Sequence, residues 1–188
     1  MYTGLSLSGF KSKVSDFARP NRFEVIINPP KIYNDFKKEE LQLLSWLAET
    51  AQLPSRTQGE AVMKYHGMEL KLPGDYTKEN ITIGFLNSYG FEGRLFFERW
   101  MENHIQNTNT TNTRQSSIQL IDDCSIIVRQ LGRVAIDSLA DYTFYNVFPT
   151  TISNIDLSMD SENQIEKFTV SFSYSHYSLT NTPKGKNG

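Results

Sequence analysis

The chain has few histidine and cysteine residues that could bind a metal ion, and they are not spaced like the ligands of a metal site. The three histidines, His66, His104 and His176, are far apart, and none lies four residues from another. A zinc site needs about four nitrogen or sulfur ligands, usually at short spacing, and the chain contains a single cysteine. We therefore expect no metal ion and no other cofactor, and we assign the histidines to surface or helix-flank positions.

The one thiol, Cys124, directly follows Asp122 and Asp123. Negative charge beside a thiol raises its pKa and disfavours the nucleophilic thiolate. The sequence therefore predicts an inert, buried or partly buried thiol and not a catalytic nucleophile. A lone cysteine also excludes a disulfide within the chain, which is typical of proteins made in a reducing compartment.

Two further patterns resemble binding loops only in part. Residues 156–162 begin like a calcium loop, but the sixth position is Ser161 where glycine is required, and the twelfth is Lys167 where glutamate is required. A phosphate loop would need closer glycine spacing and a following Lys-Ser or Lys-Thr, which is not found around Gly84, Gly90 and Gly93. No spacing marks a pair of catalytic carboxylates. We predict that the chain is not an enzyme.

Length and charge set the class of protein. A chain of 188 residues favours one domain, here 1–188, which would bury about 70% of the surface of its unfolded chain. A net charge of −2 argues against a general nucleic-acid binder, which is normally basic. No stretch approaches the roughly 20 apolar residues of a membrane span, and the first residues lack the pattern of a secretory signal. We expect a soluble domain without membrane insertion.

The clearest secondary-structure element is a strand near the end of the chain. Its apolar positions are Phe168, Val170, Phe172 and Tyr174, and its polar positions are Thr169, Ser171 and Ser173. Only the two-residue period of a β-strand separates these sets onto two faces. A second alternating run, with Ile155, Leu157 and Met159, precedes a polar turn at 160–163. The two runs predict a hairpin, whose apolar face needs a second layer to cover it.

Shorter alternating runs predict further strands at 23–27, 81–85 and within 118–131, so the domain should be mainly β. Residues 62–73 predict another hairpin around a His66-Gly67 turn, and Pro73-Gly74-Asp75 predicts a turn after it.

Apolar residues at three- and four-residue spacing predict two helices. The first carries Leu41, Leu44, Leu47 and Ala51 and ends before Pro54; the second spans about 91–106. Three segments remain outside the predicted core: an N-terminal arm (1–18), a mobile loop without apolar residues (107–117) and a polar tail (178–188).

The polar face of the strand at 168–174 is small and uncharged. Isolated β domains usually protect their exposed edges and faces with charge, above all with lysine. We infer that this sheet continues into a neighbouring subunit, or that its polar face lines an internal surface. An ordinary solvated strand face is the alternative.

Several short motifs occur in a distinctive order from Asp16 to Tyr177. They are Asp16-Phe17-Ala18-Arg19-Pro20-Asn21-x-Phe23-x-Val25, Ala51-x-Leu53-Pro54, Gly74-Asp75, Trp100, Ile127-Val128-Arg129-Gln130, Phe148-Pro149-Thr150, Leu157 to Asp160, and Ser161-x-Asn163-x-Ile165-x-x-Phe168-x-Val170-x-Phe172. In this order the chain resembles the tail tube protein of contractile-tailed bacteriophages. It departs from that pattern in the longer segment 29–45, the polar loop after Asn107 and the C-terminal tail.

The resemblance implies a fold and an assembly. The fold would be mainly β, a sandwich or barrel of two packed antiparallel sheets with a flanking α-helix and one additional helix. Hexameric rings would stack into a tube, in which one sheet of each subunit joins its neighbours around a lumen. Phage DNA would pass through without specific binding, and the sheath, baseplate and tail terminator proteins would be partners. The protein would belong to the virion and assemble in the cytoplasm of the host bacterium.

We predict subunit contacts at three places. The residues are Leu5, Leu7, Phe10 and Phe17 in the arm, Tyr65, His66 and Met68 in the first hairpin, and Thr169, Ser171 and Ser173 on the polar strand face. Two similar structural roles stay open, a type six secretion tube protein and a baseplate protein that starts the tube. From other classes, a carbohydrate-binding β-sandwich would use exposed tyrosines such as Tyr142, Tyr145, Tyr174 and Tyr177, and a small hydrolase is the remaining alternative.

Overall fold

Ten strands and two helices follow one another in the parts of the chain that the computed structural model describes, which are 17–31, 36–109, 121–132, 138–160 and 164–180. For 106–109 only the backbone is described. The elements are β1 (Phe23–Asn28), α1 (Lys38–Leu47), β2 (Ala48–Ala51), β3 (Thr57–Tyr65), β4 (Met68–Thr77), β5 (Ile81–Leu86), α2 (Glu92–Asn109), β6 (Ser125–Leu131), β7 (Ser138–Tyr145), β8 (Phe148–Ile152), β9 (Lys167–Ser173) and β10 (His176–Leu179).

The strands form two four-stranded antiparallel sheets and one separate hairpin. Sheet A has the order β1-β6-β7-β10, and sheet B has the order β2-β5-β9-β8. Strands β3 and β4 pair only with each other. The predicted fold class, mainly β with packed antiparallel sheets and two helices, is confirmed.

One apolar core joins the inner faces of both sheets with helix α2. Sheet A contributes Val25, Ile27, Ile126, Val128 and Phe144, sheet B contributes Ile81, Ile83, Phe85, Phe168, Val170 and Phe172, and α2 contributes Phe96, Phe97 and Trp100. The ring of Phe97 lies 5.0 Å from that of Phe85 and 5.7 Å from that of Phe172. Each such side chain stabilises the fold by about 1.5–3 kcal/mol through burial. Helix α2 therefore packs on the inner face of sheet B.

Helix α1 ends earlier than predicted. Its stripe is present, since Leu44 is buried and Leu41 packs against the core, but the helix stops at Leu47. Residues 48–51 form β2, in which Ala48 pairs with Phe85 and Ala51 with Ile83. The prediction that Ala51 belongs to the helical stripe is therefore wrong, because backbone pairing with β5 overrides the weak local preference for a helix.

The partner of β9 also differs from the prediction. Strand β9 pairs with β8, with Pro149 opposite Phe172 and Ile152 opposite Val170. At the end of β8 the Ser153 N–H donates to the Thr169 carbonyl over 2.8 Å, and the chain then leaves the sheet. Leu157 and Met159, predicted to lie in a strand, are exposed in an irregular segment. The predicted hairpin is therefore wrong in its first strand.

The ends of three further elements differ from the predicted ones. The predicted turn Pro73-Gly74-Asp75 lies inside β4, so the first hairpin is confirmed but longer. Helix α2 continues to Asn109, past the predicted start of the loop at 107, and 110–117 lie outside the described residues. Ser178 and Leu179, assigned to the polar tail, pair with β7 in β10, and 181–188 lie outside the described residues. The two strands are extended by cross-strand pairing, β4 with β3 and β10 with β7.

Candidate assembly surfaces

The β3–β4 hairpin projects from the domain. His66 and Gly67 form its two-residue turn with positive φ values of 47° and 79°. Positive φ at both positions is the geometry of a type I′ turn, which suits the twist of paired strands and is costly without glycine. Every residue of both strands is exposed except Gly74, which is half-buried. The hairpin therefore stands free of the core over its whole length.

The two faces of this hairpin differ in polarity. Cross-strand pairing puts Met63 opposite Leu70 and Tyr65 opposite Met68 on one face. The other face carries the pair Lys64–Glu69 and an ion pair between Lys71 and Glu60. Tyr65 and Met68 at the tip are 68% and 76% exposed. A two-stranded hairpin is only marginally stable alone, and the apolar face of this one is exposed in the single subunit.

The outer face of sheet B is a second distinct surface. Its central strands present small side chains without charge, which are Thr82 and Gly84 from β5 and Thr169, Ser171 and Ser173 from β9, and the edge strand β8 adds Thr151. The Thr82 and Ser171 hydroxyl oxygens lie 3.3 Å apart, and the Thr150 hydroxyl donates to the Ser171 carbonyl over 3.0 Å. An ion pair between Lys167 and Glu49 lies at the end of the sheet.

The outer face of sheet A has the opposite character. Arg129 lies on β6 between Glu24 of β1 and Asp141 of β7, in register across the three strands. Its guanidinium bonds to Glu24 over 2.9 Å and to Asp141 over 3.3 Å. Charges of this kind protect the exposed face of a sheet from unwanted association. On the outer face of sheet B the ion pair of Lys167 and Glu49 lies at one end, and the rows of Gly84–Thr169 and Thr82–Ser171 carry no charge.

The edges of the sheets show which backbone groups remain available. Strands β2 and β8 are the edges of sheet B, whereas β9 lies between β5 and β8 and pairs on both sides. Pro149 in β8 fits an edge strand, because proline lacks the N–H that an inner strand needs. Continuation of sheet B into another subunit would thus use β2 and β8, and β9 contributes side chains only.

The sequence pattern of phage tail tube proteins matches residues 18–180 of this chain. The chain belongs to the phage tail tube protein family. It is 24% identical to the tail tube protein gp19 of Enterobacteria phage T4 over 163 residues, which cover 86% of this chain and 91% of the relative. Identity to gp19 of Enterobacteria phage T6 is 23% over the same length. The prediction of a tail tube protein of a contractile phage tail is confirmed.

Solved structures share the fold of this tail tube protein. A chain in the baseplate of the anti-feeding prophage superposes with a TM-score of 0.63 at 15% identity and covers 90% of this chain and 99% of that one. A chain in the sheath–tube complex of an extracellular contractile injection system gives 0.58 at 16% identity, with coverage of 95% and 100%.

Six of the residues predicted to make subunit contacts lie on the hairpin or on the outer face of sheet B. Tyr65, His66 and Met68 form the hairpin tip, Thr169, Ser171 and Ser173 lie on the outer face of sheet B, and Phe17 is 71% exposed before β1. Leu5, Leu7 and Phe10 lie outside the described residues.

Sequence reasoning missed the other members of both surfaces. Thr82 and Thr151 complete the outer face of sheet B, and Arg56 and Lys78 flank the hairpin. The alternation of Thr82 with Ile81 and Ile83 indicates that Thr82 lies on the polar face of its strand. The sequence does not show that this strand, β5, lies beside β9, so Thr82 could not be assigned to the same surface as Ser171.

Cys124 and His104 are structural residues of the tail tube protein. Cys124 is buried, and burial, followed by the charges of Asp123 and Asp122, raises the pKa of its thiol to about 12. The Trp100 Nε1–H donates to His104 Nε2 over 3.0 Å, and burial lowers the pKa of this histidine. The first holds its proton and the second stays neutral near pH 7, so neither is poised for catalysis.

The other chemical sites considered from the sequence find no support in the described parts of the tail tube protein. No group of three His, Cys, Asp or Glu side chains there is placed to hold a metal ion. No described helix is both long enough and apolar enough to span a bilayer. Tyr142 and Tyr174 each pack against Tyr177, with ring centroids 6.3 and 6.2 Å apart, so these tyrosines belong to the domain's own packing and not to an exposed sugar platform.

Proposed function

We propose that this single-domain tail tube protein forms hexameric rings that stack into a hollow tube, with the outer face of sheet B lining the lumen. The observation that carries the proposal is the composition of that face, where Thr82, Thr169, Ser171 and Thr151 are uncharged and Lys167, at one end of the sheet, is paired with Glu49. Lysine or arginine on a lumen would bind DNA phosphates and slow the passage of the genome. A hydroxyl-lined wall leaves the DNA hydrated and unbound.

Ring closure would use the free edges of sheet B. Strand β2 of one subunit and β8 of the next each have unpaired backbone groups on one side. Pairing them would join the sheets of successive subunits into a closed barrel, which removes exposed edges altogether. The inner position of β9 supports this arrangement. Because β9 is not an edge strand, its polar side chains face the lumen while β2 and β8 pair with the neighbouring subunits.

Ring stacking would use the β3–β4 hairpin and the N-terminal arm. The apolar hairpin face, with Met63, Tyr65, Met68 and Leu70, is exposed in the single subunit and would be buried against the next ring. Leu5, Leu7, Phe10 and Phe17 would add apolar contacts from the arm, and His66 would lie at the tip of the contact. Burial of apolar area at about 25 cal/mol per Å² would then drive stacking.

The remaining partners would contact the outside and the ends of the tube. Sheath subunits would surround it, baseplate proteins would start it, a terminator would end it, and phage DNA would pass through. This organisation is supported by the similar folds in a sheath–tube complex and in a baseplate. The role is structural and involves no reaction, and the subunits would assemble in the host cytoplasm into the virion.

Thiol labelling tests the lumen assignment. Buried Cys124, with its raised pKa, does not compete for a maleimide, so Thr169→Cys supplies a single reactive site. A bulky polyethylene-glycol maleimide should react readily with the unassembled variant, block its assembly, and react far more slowly once tubes have formed. Lys31→Cys, at an exposed site outside sheet B, is the matched control and should react in both states.

Electron microscopy of the same samples tests the assembly itself. Equal reaction rates for Thr169→Cys before and after assembly would contradict the lumen assignment. A protein that forms neither rings nor tubes, even with a baseplate nucleus, would contradict the tube.

A further inference from the structure

The orientation of the β3–β4 hairpin is not explained by the burial of its own strands. Both strands are exposed over nearly their whole length, and they pair only with each other. Contacts at the two ends of the hairpin must therefore hold it against the domain. These ends are Arg56, directly before β3, and Lys78, directly after β4.

Arg56 links the hairpin to sheet A through two aromatic rings. Its Cζ atom lies 5.1 Å from the ring centroid of Tyr177 in β10 and 5.8 Å from that of Tyr76 in β4. Both distances are within the roughly 6 Å over which a guanidinium is attracted to an aromatic face. The guanidinium thus joins a tyrosine of the hairpin to a tyrosine of the domain.

Lys78 makes the corresponding contact at the other end. Its Nζ atom lies 5.8 Å from the ring centroid of Tyr174 and donates a hydrogen bond to the Ser175 carbonyl. Tyr174 is only 8% exposed and packs on Phe144 with 5.0 Å between ring centroids, so it is a fixed support.

The neighbouring residues hold the two ends of the hairpin together. The Ser55 hydroxyl donates to the Glu79 carboxylate over 3.0 Å, one residue outside Arg56 and Lys78. Both ends therefore meet the same corner of the domain, where the chain passes from β9 to β10.

We propose that Arg56 and Lys78 are positioning residues that set the angle of the β3–β4 hairpin by binding the rings of Tyr177 and Tyr174. The inference rests on the proposed role of the hairpin in ring stacking. A nine-residue strand such as β3 is about 30 Å long, so a tilt of about 10° at its base moves the tip by about 5 Å. Tyr65 and Met68 would then miss their contact on the next ring.

Amide hydrogen exchange of the unassembled subunit tests the inference directly. In the double variant Arg56→Gln/Lys78→Gln we expect exchange across Thr57–Thr77 to accelerate by about tenfold, since three cation–aromatic contacts are lost. Exchange in β5 and β9 should not change, because the core is untouched. Lys64→Gln/Lys71→Gln is the matched control, since it removes the same charge from the polar face of the hairpin. Arg56→Lys, which keeps a cation, should restore part of the protection.

The outcomes separate the positioning role from the proposed function. If the hairpin amides exchange at the same rate in the Arg56→Gln/Lys78→Gln variant as in the control variant, these residues do not position the hairpin. Faster exchange together with fewer or shorter tubes in electron micrographs is the expected result. Faster exchange with normal tubes would support the positioning of the hairpin and overturn its role in ring stacking.

Discussion

The hydroxyl groups of Thr82 and Ser171 face each other across β5 and β9, with 3.3 Å between their oxygens. In the next row of the same face Gly84 lies opposite Thr169. These pairs make the centre of sheet B smooth and uncharged, which is the property that the proposed lumen requires. The property belongs to neither strand alone, because it depends on their register.

Gly84 leaves room for the Thr50 side chain where β2 pairs with β5. A Cβ atom at this position would lie 2.4 Å from Thr50 Oγ1, far below any real contact. We expect Gly84→Ala to lower the free energy of unfolding by about 1–3 kcal/mol, the usual range for overpacking. Urea denaturation of the unassembled subunit measures this change.

Removal of the clashing atom should rescue this variant. The double variant Gly84→Ala/Thr50→Ala should recover most of the lost stability, because the Oγ1 atom is gone. Gly93→Ala is the matched control, since its Cβ would meet nothing closer than 3.5 Å and alanine favours the helix. A Gly93 variant as unstable as the Gly84 variant would contradict the clash.

The apolar tip of the hairpin should matter for assembly and not for folding. Tyr65 and Met68 are exposed, so Tyr65→Ser/Met68→Ser should change the free energy of unfolding by no more than about 0.5 kcal/mol. We expect the variant to form few or no tubes by electron microscopy. Lys64→Ser/Glu69→Ser, the adjacent cross-strand pair on the opposite face, should still form them. Tubes of normal length from the Tyr65/Met68 variant would exclude the apolar face as a ring contact.

His104 should make the stability of the fold depend on pH. Its Nε2 accepts a hydrogen bond from buried Trp100, so only the neutral ring fits, and burial lowers its pKa below the ordinary 6.5. The unfolded chain then binds a proton more readily than the folded one, so this stabilisation is complete above pH 6.5 and is lost as the pH falls below it.

Denaturation at several pH values between 7 and 5 measures how the free energy of unfolding changes with pH. His104→Gln, whose amide oxygen can accept the same bond, should show a smaller decrease in the free energy of unfolding on acidification. His66→Gln, at the exposed turn, is the control and should keep the decrease of the parent protein. If the free energy of unfolding of His104→Gln decreases with pH as steeply as that of the parent protein, other groups cause the pH dependence.

The sequence by itself determined the buried face of β9 and the central buried residues of the helices, which are Leu44 in α1 and Phe96, Phe97 and Trp100 in α2. Phe168, Val170 and Phe172 could lie together only on one side of a strand, and all three are buried. The His66-Gly67 turn was likewise readable, because a two-residue hairpin needs positive φ at both positions and glycine tolerates it. From these local periods the polar face of Thr169, Ser171 and Ser173 also followed.

Only the tertiary structure decided which strands pair. Residues 155–159 alternate as well as a real strand does, yet β8 takes the place beside β9, since register depends on contacts distant in sequence. Residues Ala48–Ala51, predicted to continue the helix, form strand β2 for the same reason, because they pair with the backbone of β5. The contacts of Arg56 with Tyr177 and of Lys78 with Tyr174 join residues that are far apart in the sequence. Local periodicity specifies which face of an element is buried, whereas the order of strands and the contacts between distant side chains depend on the packing of the whole core.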